Sequence, residues 1–252
     1  MPDLNFEEID KLKKKLDSFR PLPLEVLKNL HEDLILRWTF NSNAIEGNTL
    51  TLKETKVALE GITIGGKTIK EHFEAINHRE AIFFVEELVK KNEPLSQWQI
   101  KSIHQLILKN IDDKSAGAYR KNNVIISGAD HLPPDFTQVP DLMESFIEAY
   151  KKIFIKMHPV EKAARAHVDF VKIHPFIDGN GRTARLLMNL ELMKNGFPPV
   201  ILPVEKRLNY YEFLDLAHTK NDYQPFLKLT AEAVKNSFKP YFYVLGVNNS
   251  TF

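Results

Sequence analysis

The stretch HPVEKAARAHVDFVKIHPFIDGNGRTARLLMNLELMK, residues 158–194, decides how this chain folds. Apolar residues recur at helical spacing over residues 161–173 and again over 183–194, and the segment between them is broken by Pro175, Gly179 and Gly181. Outward from it the same spacing returns: Phe6, Ile9, Leu12 and Leu16; Leu24, Leu27, Leu30, Leu34 and Trp38; Phe73, Ile76, Ile82, Val85 and Val89. It also runs through 96–108, 139–154, 210–216 and 225–238, with Pro94, Pro140, Pro159 and Gly196 as punctuation. The fold class expected is all-α. One segment departs from it, YRKNNVIISGADHLPP at residues 119–134, where a β-branched run meets Ser-Gly-Ala-Asp and two prolines; a small β-hairpin or extended flap is expected there. A second extended piece, PVILP at residues 199–203, does not supply enough strands for a parallel sheet covered by helices. There is no internal repeat and no Gly/Ser linker, so a single domain is expected.

Composition narrows the chemistry. The 252 residues include no cysteine, which removes disulfides, Cys-ligated metals and thiolate nucleophiles. Lys plus Arg number 34 against 33 Asp plus Glu, a formal charge of +1, so the broad positive field that drives binding to duplex nucleic acid is missing, and no nucleic-acid partner is expected. The start, MPDLNFEEIDKLKKK, lacks the basic and then apolar pattern of a signal peptide, and no apolar run approaches a membrane span. A cytoplasmic protein without a membrane partner is the expectation. At 43% hydrophobic and 27% charged residues, the chain has the material for a full core.

The densest chemistry lies at HPFIDGNGRTAR, residues 174–185. Gly179, Asn180 and Gly181 fall where a loop enters a helix, so their N–H groups suit a phosphate at the helix's positive end. Arg182 and Arg185 are three apart, share a helix face and lean back toward the same nest. Asp178 is a single carboxylate beside that nest, the usual protein share of a Mg2+ site. His174 is placed to take a proton from an attacking hydroxyl. A base, a metal and a phosphate clamp describe nucleotidyl or phosphoryl transfer.

This string is similar at every fixed position to the signature of the Fic family, His-x-Phe-x-(Asp/Glu)-Gly-Asn-Gly-Arg-x-x-Arg: His174, Phe176, Asp178, Gly179, Asn180, Gly181, Arg182 and Arg185. HPVEKAARAHVDFVKI resembles the family helix that delivers the histidine, GAYRKNNVIISGADHLPP the flap that holds a target segment, and NYYEFLDLAHTKNDYQPF a segment that follows the motif. The resemblance implies a Fic-type helical domain with a hairpin flap, organised as an N-terminal helical region at 1–94, a catalytic core at 95–240 and a tail at 241–252. It implies transfer of AMP from ATP to a Ser, Thr or Tyr hydroxyl of a target protein, the chain itself included, with Mg2+ as cofactor. His174 would be the base, Asp178 the metal ligand, and Asn180 with the glycines would fix the α-phosphate. Arg182 and Arg185 would take the β- and γ-phosphates, while Gly181, where phosphorylating relatives carry Lys, favours nucleotidyl transfer. Tyr210 and Tyr211 fall where relatives place aromatics near the base, and His218 stands where relatives often carry Asn, which leaves other donors open.

SNAIEGN, residues 42–48, resembles the family's inhibitory motif through Ser42, Glu46 and Gly47. Its position before the core implies an N-terminal inhibitory helix whose Glu46 pairs with Arg185, and with it a reverse activity that removes AMP. Relatives often form dimers, so a homo-oligomer is among the partners implied. Two other readings compete. One is a catalytically silent nucleotide-binding module. The other rests on GITIGGKT, residues 61–68, which satisfies the P-loop expression letter for letter but follows the helically spaced LKETKVALE rather than a strand. His158 and His167 are expected to be packing or hydrogen-bonded histidines, and His72 and His78, six apart, do not share a helix face.

Overall fold

A computed structural model describes residues 5–247. Among the described residues ten α-helices follow one another: α1 (Glu7–Asp17), α2 (Leu24–Ile45), α3 (Leu52–Leu59), α4 (Ile69–Lys91), α5 (Gln97–Leu108), α6 (Val139–Lys152), α7 (Pro159–Ile173), α8 (Asn180–Lys194), α9 (Arg207–Lys220) and α10 (Gln224–Val244). No β-strand is present among the described residues. Of the tail expected at 241–252, the first four residues continue α10, and 248–252 lie outside the described residues. None of the helices is long and apolar enough to cross a membrane, among the described residues.

Helix α8 is the axis. Ala184, Leu186, Leu187, Met188, Leu190 and Leu192 are buried around its circumference, as a helix enclosed on all sides requires. Helices α2, α4, α5 and α7 pack against it. Its most extensive partner, α7, buries Ala163, Ala164 and Ala166 together with Val168, Phe170 and Val171. Each fully buried Leu or Phe contributes about 1.5–3 kcal/mol. Two of the polar groups that α8 carries inward, Asn189 and Glu191, are matched. Asn189 donates to Val200 O at 2.8 Å and accepts from Val200 N at 2.7 Å, which explains how PVILP stays extended without a neighbouring strand. Glu191 takes Tyr150 OH and, at 3.1 Å, Lys162 Nζ.

Helix starts follow local chemistry. Thr51 with Glu54, Thr68 with Glu71 and Ser96 with Gln99 form reciprocal capping boxes on α3, α4 and α5. The second of these disposes of the P-loop reading. α3 precedes the glycine turn where a strand would be needed, Thr68 caps α4, and Lys67 Nζ donates to Thr49 O at 2.6 Å.

The hairpin expected at 119–134 is corrected: the segment is an extended flap without a ladder. Its two legs are joined by side chains instead. Arg120 donates to Asn122 O at 3.0 Å and to Pro134 O, Asn123 Nδ2 donates to Asp135 Oδ2 at 2.8 Å, and Phe136 N donates to Asn123 Oδ1 at 2.8 Å. The tip turns at Gly128, whose φ of 80° suits glycine, and the N–H groups of Asp130 and His131 reach the Asp215 carboxylate on α9.

Candidate active site

The segment between α7 and α8 is a tight turn bracketed by two left-handed residues, His174 (φ 50°, ψ 58°), which ends α7, and Gly179 (φ 75°), which begins α8. A Cβ on Gly179 would lie 3.1 Å from Ile107 Cγ2 and 3.3 Å from His104 Cδ2, so both backbone angle and space call for glycine. Phe176 is buried beneath the turn, its ring stacked on His104 at 3.6 Å and 3°. The Asn180 side chain is engaged with the turn itself, accepting from Phe176 N at 3.0 Å and donating to Phe176 O at 2.9 Å. What Asn180 offers a phosphate is therefore its backbone N–H, alongside those of Gly181 and Arg182 at the positive end of α8.

His174 is half-buried and its Nδ1 has no hydrogen-bond partner. Burial lowers its pKa to about 4, Arg120 pushes in the same direction and Glu46 pulls back, so the imidazole is neutral and ready to accept a proton at neutral pH. For Asp178, burial alone would raise the carboxyl, but Arg182 and the Gly179 N–H hold it below the ordinary value. Both of its bonds, from Gly179 N at 2.5 Å and Arg182 Nη2 at 3.3 Å, fall on Oδ1, and the side chain is half exposed. An ionised, half-exposed carboxylate at the mouth of a phosphate nest fits Mg2+, which takes one or two protein oxygens and completes its shell with water and phosphate. Among the described residues no group of three or more metal-ligating side chains forms an all-protein cage.

The two arginines are held differently. Arg182 is 2% exposed, its Nη1 lies 3.2 Å from Glu74 Oε1, and its Nε has no hydrogen-bond partner. Arg185 donates Nε to Ser42 Oγ at 3.0 Å, Nη2 to Ser42 O at 2.8 Å and to Glu46 Oε1 at 2.7 Å, and Nη1 to Tyr210 OH at 3.1 Å. Ser42 and Glu46 thus reach the far end of the motif from the last turn of α2, and Gly47 (φ 98°) turns the chain away just beyond. Gly181 is where the two elements touch: a Cβ there would overlap Glu46 Oε1 and lie 3.2 Å from Arg185 Nη1.

Tyr211 donates its hydroxyl to Ile45 O at 2.8 Å and so covers the C-terminal end of α2, beside Glu46. Tyr210 is buried in a chain from Arg185 to His167, whose Nε2 lies 3.1 Å from Tyr210 OH. His218 is buried against α7 rather than gathered with the arginines; its Nε2 donates to Val168 O at 3.0 Å and its ring lies 4.8 Å from that of the flap residue His131. His158 caps α7 and pairs with Asp10 at 3.0 Å.

Three residues of the site were not singled out in the sequence. His104 accepts Gly117 N at Nδ1 and donates Nε2 to Asp178 O, both at 2.9 Å, which fixes its tautomer. Its signal was a polar residue on the apolar stripe of Ile100, Ile103 and Ile107, a position that demands partners. Glu74 neutralises Arg182 and is tied back to the end of α2 by Asn48 Nδ2 at 2.8 Å. Arg120 is 5% exposed and joins the flap to His174; nothing in its neighbours' spacing announces that.

The Fic/DOC family model matches residues 94–192. "Protein adenylyltransferase Fic" of Nematostella vectensis is 37% identical over 247 residues, covering 94% of this chain and 56% of its own length. The corresponding protein of Culex quinquefasciatus is 35% identical, with 47% of its length covered, so the chain spans about half the length of the curated relatives it matches. Among solved structures, Fic-1 (residues 134–508) of C. elegans superposes with a TM-score of 0.87 at 33% identity, covering 96% of this chain and 72% of that one. A Fic-domain signalling protein of Bacteroides thetaiotaomicron gives 0.87 at 29% identity, covering 95% and 97%.

Proposed function

The chain belongs to the Fic/DOC family, and from that membership and its own site we propose that it is a protein adenylyltransferase held off by Glu46. The reaction moves AMP from ATP to a Ser, Thr or Tyr hydroxyl. The target oxygen forms a bond to the α-phosphorus, the bond from that phosphorus to the bridging oxygen breaks, pyrophosphate leaves, and the hydroxyl proton passes to His174. A neutral His174 at the end of α7 supports the role of base. The N–H groups at the start of α8 hold phosphate, Arg182 and Arg185 bind the β- and γ-phosphates, and Tyr211, beside Glu46, is the candidate to border the base, while His218 is held against α7. Asp178 would hold Mg2+, which when bound neutralises charge on the phosphates.

The observation that carries the regulatory half is Arg185. Its donors go to Ser42, Glu46 and Tyr210, so a γ-phosphate must displace the Glu46 carboxylate to reach it. The same carboxylate, in a state where it faces a modified target, would orient water for AMP removal. Target backbone would add to the flap as a strand. The target is a protein, this chain among the candidates, and self-association of the enzyme is part of the proposal.

The test uses wild type, Glu46→Gly and Glu46→Gly/His174→Ala with Mg2+ and ATP labelled at the α-phosphate, read by gel and intact mass. Label on Glu46→Gly, absent from the double variant, is the expected result. No label on any of the three, with ATP still bound, would instead favour a silent nucleotide-binding module or another donor.

A further inference from the structure

The flap has no ladder to hold its legs at a fixed height above the catalytic turn, yet its legs are tied to that turn by one buried cation. Arg120 Nε donates to His174 O at 2.9 Å, Nη1 to Asn122 O and Nη2 to Pro134 O, while Arg120 N donates to Pro175 O at 2.9 Å. It forms no ion pair among the described residues; Asp135 acts on it only through space. A buried guanidinium directed at three carbonyls carries the desolvation cost of a charge, so the arrangement asks for a reason beyond closing a loop. What the arrangement supplies that a ladder does not is a rigid planar fork with fixed angles between its donors. Two of those donors fix the flap legs, and the third fixes the backbone of His174, which sits at a left-handed angle that the surroundings must hold. At the flap's base the pattern repeats, since His104 bridges Gly117 N and Asp178 O.

We propose that Arg120 is a positioning residue that sets the flap, and so the incoming target segment, at a fixed distance from His174. This rests on the transfer reaction proposed above. A displacement of about 1 Å between reacting groups costs about 10²-fold in rate. Arg120→Lys keeps the charge and the stem but not the fork. In the Glu46→Gly background it should lower self-labelling at saturating ATP by about 10²-fold and change the affinity for a fluorescent ATP analogue by less than about twofold.

The closing experiment pairs labelling with amide hydrogen exchange on both proteins. Exchange over 122–134 and over 174–177 should rise together in Arg120→Lys by about tenfold or more, with protection of α8 and α10 retained. Unchanged exchange at either segment, or undiminished self-labelling with the segments loosened, overturns the proposal. A Glu46→Gly parent that takes no label overturns the transfer reaction, and exchange then still decides the linkage between flap and turn. Should Arg120→Lys lose protection throughout, Arg120→Gln, which retains one side-chain donor, replaces it under the same criteria.

Discussion

Gly181→Ala offers a way to expel Glu46 from its seat without altering Glu46. Gly181 has helical backbone angles in the first turn of α8, so alanine is conformationally acceptable there. Its Cβ would nonetheless overlap Glu46 Oε1, the far end of a flexible side chain that can swing toward solvent. The loss is one charge-assisted bond of 2.7 Å; because Glu46 is 30% exposed, the figure for a fully buried pair does not apply, and about 1–2 kcal/mol is appropriate. Arg185 keeps Ser42 Oγ, Ser42 O and Tyr210 OH, so its charge is not stranded. Against this, Gly to Ala within a helix gains about 0.5–1 kcal/mol. Gly181→Ala alone should therefore be neutral to about 1.5 kcal/mol destabilising, whereas in a Glu46→Ala background it should stabilise by about 0.5–1 kcal/mol. Urea unfolding of the four proteins of this cycle should return a coupling of about 1–2 kcal/mol. Effects that add to within about 0.3–0.5 kcal/mol would show that the two residues do not compete for space, and would remove the steric half of the account of the brake.

Two further expectations concern buried histidines. His104 is fully buried with its pKa lowered to about 4, first by burial, while His78 and His167 are displaced in the same direction. Between that value and the unfolded value near 6.5 the unfolded chain binds more protons, so stability is complete above about pH 6.5 and is lost as pH falls toward 4. For His104 alone the loss from pH 7 to pH 5 is about 2 kcal/mol, visible as a falling urea midpoint; a flat or rising midpoint would contradict the burial argument. His104→Leu should cost about 2–4 kcal/mol at pH 7, because Gly117 N–H and Asp178 C=O are left unpaired, and should recover part of that penalty at pH 5, where the wild type loses its advantage.

The helices were legible because burial writes a 3.6-residue period into 161–173 and 183–194, and the break between them because Pro175, Gly179 and Gly181 punctuate it; the left-handed angle of His174 was not. Of the two readings of the flap, hairpin or extended segment, the hairpin fails for a physical reason. Its β-branched run satisfies a strand pattern, but pairing depends on what the opposite leg offers, and there Pro133 and Pro134 carry no N–H; the side chains of Arg120 and Asn123 close the gap. Asp178, a half-exposed carboxylate beside the start of α8, could be picked out from residue type and spacing. The backbone nest at Gly179 to Gly181 could be read from its place at a helix start, but the side-chain role of Asn180, which staples Phe176 N and O, could not. Glu74 and Arg120 escaped notice because they join the site across long sequence separations, Glu74 to Arg182 and Arg120 to His174.

The flap's missing ladder has a consequence for how the chain lives among its own copies. Val124 and Ile125 make no backbone hydrogen bond among the described residues, and Ile125 is 80% exposed. An open apolar edge of this kind invites pairing with any extended chain, which is how proteins begin to aggregate. Here it is kept brief: Lys121 and Asp130 flank it, Gly128 turns it aside, and two prolines end it. A run of so few residues cannot hold a second strand by itself. On the proposed strand addition, a target segment would need a second foothold elsewhere on the surface, so the same brevity that guards against self-aggregation would make recognition depend on two contacts at once.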